Sequence, residues 1–345
     1  MKPISILIIG ICIALIAVLS SCEKLVVGER PTNTPLENFQ YVWEKFDTHY
    51  GLFIAKDIDW NEVYLNLLPL AEEAQSKEEL FDVLASMVHI LNDKHVNIYS
   101  TDPILKDYNS GEDGHLPAQE DYLFEIVKYN YLTEYHQLSE DIGYGKLSSG
   151  LGYIHISSFK DELKSFKKNA EEAIDKLYNT NGIVVDIRDH TGGDDRVSKY
   201  MAGRFATQKN LFMTTKKRNG NNHDDFADQI EWFVEKEGNN QYTKPVVLIT
   251  SSHTISAGET FTLAMKENTN VMQVGDTTAG AFSDQVFFEM PNGWFFTVSV
   301  GDYRASDNQS YEGIGIAPDT FIRNEKKDVL SGIDKTLEKA IDLLQ

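Results

Sequence analysis

Ser256 stands where a hydrophobic strand is predicted to end and a helix to begin. The run 246–250 is apolar and rich in β-branched residues, and the apolar spacing over 261–265 predicts a helix. A loop in that position exposes the hydroxyl, and the positive end of the helix dipole stabilises negative charge beside it. The small residues Ala257 and Gly258 leave room for a substrate backbone. Because serine is also a preferred N-cap, this segment alone does not separate a nucleophile from a helix cap.

Three further segments carry the other groups that a reactive serine needs. His95 follows a predicted helix and begins a short alternating strand, so its imidazole could remove the hydroxyl proton. The predicted strand 184–187 leads into the turn Gly192-Gly193, where glycines allow positive φ and direct backbone N–H groups into an open site. Glu312 precedes a glycine-punctuated turn near the C-terminus, where a carboxylate could orient the base. Together these groups are the parts that acyl transfer through a serine requires.

The order of these four motifs resembles that of a known enzyme family. The histidine loop, the Gly-Gly loop, the serine helix and the glutamate loop have an order and spacing similar to the tricorn-like branch of the carboxyl-terminal processing serine peptidases. The resemblance runs from about Thr34 to the C-terminus. It implies an α/β fold with a crotonase/ClpP-like ββα-spiral catalytic core. It also implies a peptide or protein substrate and no cofactor.

The resemblance further implies a role for each candidate site residue. Ser256 matches the nucleophile, His95 matches the general base, and Glu312 matches the acidic residue that orients the base. Gly192 and Ala257 match the backbone N–H donors of the oxyanion hole, and no metal is implied. The expected function is therefore the hydrolysis of peptide bonds through a Ser-His-Glu triad with a backbone oxyanion hole.

One segment departs from the pattern of other family members, which use a Ser-Lys dyad with the lysine in a turn after the serine helix. Ala281 occupies that lysine position here, so no dyad can form there and His95 is the expected base. Lys94 is a second departure, because a cation beside the imidazole would lower its pKa. His253 is an alternative base, but it lies only three residues before Ser256 and would have to fold back over its own loop.

Three other functions compete with a peptidase. The first is a non-catalytic ligand- or peptide-binding module on the same fold, which would have no need to keep His95, Ser256 and Glu312 together. The second is an acyl-CoA enzyme of the related crotonase-like architecture, which needs no serine at a helix N-terminus. The third is a metal site in the acidic loop 186–195, whose spacing fits no zinc or EF-hand pattern. The complete set of three residues favours the enzyme.

The N-terminus has the features of a bacterial lipoprotein signal. Lys2 precedes the apolar run 4–19, which is short for a membrane span, and the segment ends in Leu-Ser-Ser-Cys at Cys22, similar to a lipobox. We therefore predict a lipoprotein signal peptide over residues 1–21, lipidation of Cys22, and a tether over 22–33. An ordinary signal peptide with an incidental cysteine and an uncleaved anchor helix are the alternatives.

Charge and cysteine content limit the partners and the compartment. The net charge is −21, and removal of residues 1–21 takes it to −22 because Lys2 is lost. Such acidity argues against binding to nucleic acid or to anionic lipid, so the lipid on Cys22 would provide the membrane attachment. The other cysteine, Cys12, lies within the signal, so the mature chain has no disulfide. Glu23 is not the aspartate that favours inner-membrane retention, which favours the outer membrane of a bacterial cell envelope.

The rest of the 345-residue chain is divided by its capping motifs. Capping boxes at Thr34, Asp59 and Ser76 predict three helices, so we assign 34–92 to an N-terminal helical subdomain and 93–345 to a serine peptidase catalytic domain. About sixty residues are available between the histidine loop and the strand predicted over 142–159, which is too few for a PDZ module. Further predicted elements are strands over 122–131 and 142–159, a helix over 163–178, a surface excursion over 218–243, a hairpin over 285–300 and a closing helix over 333–344. The pattern predicts no oligomeric state.

Overall fold

The computed structural model describes residues 33–111 and 119–345. The predicted signal peptide, Cys22 and nearly all of the tether lie outside the described residues, so those expectations stay predictions. Within the described ranges, no helix combines the length and apolar character that crossing a bilayer would require. The helices are α1 Pro35–His49, α2 Trp60–Glu73, α3 Lys77–His89, α4 Phe124–Ile126, α5 Leu163–Leu177, α6 Asp195–Gly203, α7 Ala257–Lys266, α8 Lys326–Leu330 and α9 Lys335–Leu344.

The strands form three sheets in the described part of the chain. In chain order they are β1 Asn97–Tyr99, β2 Tyr108–Asn109, β3 Leu132–Gln137, β4 Ile142–Leu147, β5 Gly152–Ile156, β6 Ile183–Asp186, β7 Asn210–Lys217, β8 Ile230–Val234, β9 Val246–Thr250, β10 Val271–Gly275, β11 Gln285–Glu289, β12 Phe295–Ser299, β13 Gly301–Ala305 and β14 Thr320–Phe321. The largest sheet has the order β14-β10-β9-β6-β5-β4-β3, the second β11-β12-β1-β2 and the third β13-β7-β8. Helices and a central mixed sheet confirm the predicted α/β class.

The central sheet brings the Gly-Gly loop and the serine loop to the same edge. Strands β5, β6, β9, β10 and β14 run parallel, and Asp186 at the end of β6 is in register with Ile249 near the end of β9. In parallel sheets the loops that follow neighbouring strands leave from the same edge, where ligands commonly bind. The β6 loop leads to Gly192 and the β9 loop leads to Ser256, so strand pairing alone places these two residues close together.

Helices α1 to α3 begin where their capping residues predict. The side-chain oxygens of Thr34, Asp59 and Ser76 each accept a hydrogen bond from the backbone N–H three residues later, at 3.1 to 3.3 Å. These helices share one buried core with the sheet that contains β11, β12 and β1. The ring centroids of Phe46 and Phe296, for example, are 5.7 Å apart. The N-terminal helices therefore pack on strands from the far end of the chain, and they hold β1, which follows His95, in place.

Two predicted segments differ from the structure. Residues 122–131 form α4 and a π-helical turn rather than a strand, and the strand begins only at Leu132. Tertiary contacts explain this difference, because Val127 is buried in a core shared with α9 and the Tyr131 hydroxyl donates to Glu338 at 2.8 Å. The surface excursion 218–243 contains strand β8, which lies at the edge of the small sheet. The residues on both sides of β8, 219–229 and 235–241, are rich in Asn, Asp and Glu, which explains why the sequence pattern indicated a loop.

Candidate active site

Ser256 has a strained backbone at the start of α7. Its φ is 59° and its ψ is −123°, a conformation that few residues other than glycine adopt. The Ser256 N–H donates to the Ala281 carbonyl at 3.0 Å and lies 3.2 Å from Oε2 of Glu259. The side chain is partly exposed. This is the geometry of a sharp strand-to-helix turn that presents a hydroxyl to a cavity.

The Glu259 carboxylate holds the serine turn against the following loop. Oε1 accepts hydrogen bonds from the Thr278 hydroxyl at 2.7 Å and from the Gly280 N–H at 2.6 Å. Oε2 accepts one from the Ala281 N–H at 2.8 Å. Burial raises the pKa of Glu259, and the hydrogen bond from Thr278 is the first of four that oppose this effect. Sequence reasoning gave this residue no role, although the capping-box spacing from Ser256 was the signal that could have found it.

Replacement of Glu259 by glutamine is expected to destabilise the protein. Each carboxylate oxygen accepts two donors, so an amide NH2 in either position would face donors and leave hydrogen bonds unmade. We expect the free energy of unfolding to fall by about 2 to 4 kcal/mol, measured by urea denaturation. The control is Glu72→Gln on the exposed face of α2, where a change below about 0.5 kcal/mol is expected. A loss at Glu259 as small as that of the control would contradict this account.

Gly192 lies directly against the Ser256 side chain. Its φ is +93°, and a Cβ atom added there would come within 2.9 Å of the Ser256 Cβ and 3.3 Å of its Oγ. The Gly192 N–H donates to Nδ1 of His190 at 3.1 Å. To stabilise an oxyanion, this N–H would have to donate to both acceptors or leave the His190 ring. The next residue, Gly193, lines the cavity, and its N–H has no acceptor among the described residues. The Ala257 N–H is at the first position of α7, where helices have no internal acceptor.

His190 supports this loop as a neutral, buried ring. Burial lowers the pKa of His190 to about 3, so the imidazole is neutral at physiological pH and its Nδ1 can accept. The ring packs against Phe159 at a centroid distance of 4.5 Å. A Cβ atom at Gly258 would come within 2.6 Å of Nδ1, so the helix after the serine can approach only because that residue is glycine.

His95 is buried beside a second carboxylate that the sequence did not single out. Nδ1 of its ring has no hydrogen-bond partner among the described residues. Asp93 accepts the His95 backbone N–H at 2.9 Å and the Tyr50 hydroxyl at 3.1 Å. Burial lowers the pKa of His95, and the charge of Asp93 is the first of the effects that oppose it. Burial, rather than Lys94, is thus the main cause that lowers this pKa.

Glu312 is buried against the backbone of residues 282 and 283. Its Oε2 accepts the N–H groups of Phe282 at 2.9 Å and Ser283 at 3.3 Å. Its Oε1 is buried without a hydrogen-bond partner among the described residues. Burial raises the pKa of Glu312 well above its ordinary value, and the charge of Asp93 adds to this effect.

Ser256 and His95 face one cavity, and Glu312 lies behind its wall. The cavity has a volume of about 1020 Å³, and its lining includes Gly193. In the described residues no hydrogen bond joins Ser256, His95 and Glu312 to one another. Two buried atoms, Nδ1 of His95 and Oε1 of Glu312, nevertheless lack hydrogen-bond partners among the described residues.

Lys94 and His253 line the same cavity. The Lys94 ammonium donates to the Ala279 carbonyl at 2.7 Å, which ties the histidine loop to the loop that follows α7. Ala281 is fully buried and its carbonyl accepts the Ser256 N–H. The position of the family's lysine therefore has a structural role here and offers no basic side chain.

Two family models match the chain. The model of peptidase family S41 matches residues 150–322, which include the Gly-Gly loop and the serine helix. The model of the tricorn protease C1 domain matches residues 31–89, which include α1 to α3. The first match covers half of the chain.

Similar proteins of known name are carboxyl-terminal processing peptidases. Carboxyl-terminal-processing peptidase 2 from chloroplasts of Arabidopsis thaliana is 25% identical over 185 residues, which are 53% of this chain and 34% of that protein. Carboxy-terminal processing protease CtpA of Bacillus subtilis is 26% identical over 172 residues, 49% of this chain and 34% of that protein. The chain thus matches about a third of the length of these relatives.

Similar solved structures cover nearly the whole chain. A candidate peptidase from Parabacteroides merdae is 28% identical with a TM-score of 0.78, and the match covers 91% of this chain and 97% of that chain. The tricorn protease is 15% identical with a TM-score of 0.55, and the match covers 90% of this chain and 36% of that one. The second likeness shows a shared fold alone.

Proposed function

Because the chain belongs to peptidase family S41, we propose that it is a serine-type peptidase that cleaves peptide bonds with Ser256 as its nucleophile. The observation that supports this most strongly is the strained turn at Ser256. Its hydroxyl lies beside Gly192, at the N-terminus of α7, in a cavity that His95 also lines. Backbone strain of this kind costs about 1 to 3 kcal/mol and persists where the surroundings enforce it, here through Glu259 and Ala281.

In the proposed reaction His95 acts as general base. Its imidazole takes the proton of the Ser256 hydroxyl as the oxygen bonds to the substrate carbonyl carbon, and returns it to the leaving amine. Water then attacks the acyl-serine with the same proton transfers, releasing the acid and restoring the serine. The low pKa that burial gives His95 keeps the ring neutral, which a base requires.

Two further groups complete the proposed mechanism. Glu312 orients the base by accepting, at its Oε1, a hydrogen bond from Nδ1–H of His95, because neither atom has another partner among the described residues. The oxyanion is stabilised by the Ala257 N–H, at the positive end of the α7 dipole, and by an N–H of the turn Gly192-Gly193. The free N–H of the second glycine makes it a donor candidate beside the first.

A non-catalytic binding module on the same fold is the second candidate. It is favoured by one observation, the lack of a hydrogen bond between Ser256 and His95 in the described residues. Hydrolysis of fluorescein-labelled casein separates the two. A peptidase releases acid-soluble fluorescence, and a fluorophosphonate stops the release. A protein that neither cleaves casein nor reacts with the fluorophosphonate would be the binding module.

We further propose that the chain is a lipoprotein of a bacterial cell envelope, anchored through Cys22 and placed in the outer membrane. The support is the apolar run and the Leu-Ser-Ser-Cys motif that ends it. Mass spectrometry of the mature protein from membranes should find Cys22 at the N-terminus with acyl chains attached. Cys22→Ser, which keeps the size of the residue but removes the thiol, should release the protein from the membrane fraction. An unmodified N-terminus elsewhere in the chain would contradict this proposal.

A further inference from the structure

Strand β11 is an open sheet edge that begins in the active-site cavity. It is the first strand of the sheet β11-β12-β1-β2 and pairs with β12 alone. The Val300 N–H donates to the Asp284 carbonyl at 2.9 Å, and the Met290 N–H donates to the Trp294 carbonyl at 2.7 Å. Because hydrogen-bonded positions alternate in an antiparallel pair, the even-numbered residues of the strand face β12.

The odd-numbered residues Gln285, Phe287 and Glu289 therefore direct their backbone N–H and C=O groups away from the sheet. No backbone or side-chain partner bonds these groups among the described residues. Phe287 is 62% exposed and Val286 is 41% exposed. Native proteins usually block such an edge with charged residues, proline or a bulge, and the one charge of β11 is Glu289, at the end that does not line the cavity. An unblocked apolar edge is a template for an added strand.

The position of this edge indicates its occupant. Asp284, Gln285 and Val286 line the same cavity as Ser256 and His95. We propose that an extended segment of the polypeptide substrate adds to β11 as a further strand and so passes into the cavity. This rests on the proposed peptidase function and deepens it, because it identifies β11 as the strand that positions the backbone of the substrate.

The test uses proline at Phe287. This change removes one N–H of the free edge and no hydrogen bond to β12, and proline is tolerated on the open side of edge strands. Phe287→Ala is the matched control, because it removes the ring and keeps the N–H. Gln137→Pro is a second control, on the open edge of β3 and outside the cavity lining. Gln285→Pro, at the first residue of β11, replaces Phe287→Pro if that variant does not fold.

For each variant, the rate of casein hydrolysis is divided by the rate of fluorophosphonate labelling. This ratio corrects for any change in the reactivity of Ser256. We expect this ratio to fall by roughly five- to tenfold in Phe287→Pro, as for the loss of a backbone hydrogen bond, and by less than about threefold in both controls. An unchanged ratio in Phe287→Pro would overturn the proposal. So would a wild-type dimer in sedimentation that Phe287→Pro dissociates, because the edge would then bind a second copy.

Binding is also measured without turnover, by fluorescence anisotropy of labelled casein on the Ser256→Ala protein. We expect binding that weakens by a similar factor when Phe287→Pro is added. This measurement keeps the two proposals apart. If Phe287→Pro weakens casein binding but the wild-type protein never reacts with fluorophosphonate, the proposal that a chain adds to β11 is supported and the peptidase function is refuted. If the wild-type protein reacts with fluorophosphonate but Phe287→Pro does not change casein binding, only the proposal that substrate adds to β11 is refuted.

Discussion

Ser256→Ala is expected to abolish hydrolysis of casein while leaving the fold intact. Loss of the nucleophile in a serine peptidase lowers kcat by roughly four to six orders of magnitude, because no other group can form the acyl intermediate. The hydroxyl makes no hydrogen bond to His95 or Glu312, and the backbone bonds of Ser256 remain. Thermal unfolding followed by circular dichroism should therefore change little.

The matched control for this variant is Ser148→Ala, in the exposed turn between β4 and β5. It removes a hydroxyl far along the chain from the cavity and should retain the wild-type rate. Casein hydrolysis by Ser256→Ala at more than about one hundredth of the wild-type rate would show that another residue is the nucleophile.

His95→Ala is expected to reduce kcat/KM nearly as much as Ser256→Ala. A serine hydroxyl is a weak nucleophile until a base takes its proton, and nucleophile and base act as a unit, so losing either costs about as much as losing both. The double variant should therefore be no slower than either single one. His253→Ala is the control, since this residue lines the same cavity and is the alternative base. A larger loss in His253→Ala than in His95→Ala would move the base to His253.

The pH dependence of kcat/KM tests the same assignment in a different way. Burial lowers the pKa of His95 below its ordinary 6.5, and burial raises that of Glu312 above its ordinary 4.5. Both groups must be deprotonated for the proposed mechanism, so activity falls as the pH falls through the titration of either group. Glu312→Gln removes one carboxyl and loses less activity than His95→Ala, because the base survives. Its acidic limb then reports His95 alone and should lie below pH 6.5; a limb above that value would contradict a buried imidazole base.

Local rules explain why much of the architecture could be predicted. Side-chain capping depends on residues three apart, so Thr34, Asp59 and Ser76 predicted the starts of α1 to α3. The strand and helix around Ser256 follow from apolar spacing, and parallel pairing then places the Gly-Gly loop next to it. Two short segments were therefore enough to predict that the Gly-Gly loop and the serine loop meet at one edge of the sheet.

The parts that could not be predicted depend on contacts between distant residues. The π-helical turn before β3 is set by packing of Val127 against α9, more than two hundred residues later. The hydrogen bond from Gly192 to His190 depends on how a buried ring turns, which no spacing encodes. Desolvation also depends on the complete fold and cannot be read from sequence. The sequence therefore identified Lys94 and Glu312 as the groups that shift the pKa of His95, whereas burial has the largest effect on it.

The central claim is that Ser256 is an activated nucleophile, and the most direct measurement is the site of covalent modification. Purified protein is incubated with a biotinylated fluorophosphonate, digested, and analysed by tandem mass spectrometry. The account predicts one phosphonylated residue, Ser256, with labelling that is lost in His95→Ala and is slowed at low pH. Modification of another serine, or an unmodified Ser256 peptide after prolonged exposure at neutral pH, would contradict it.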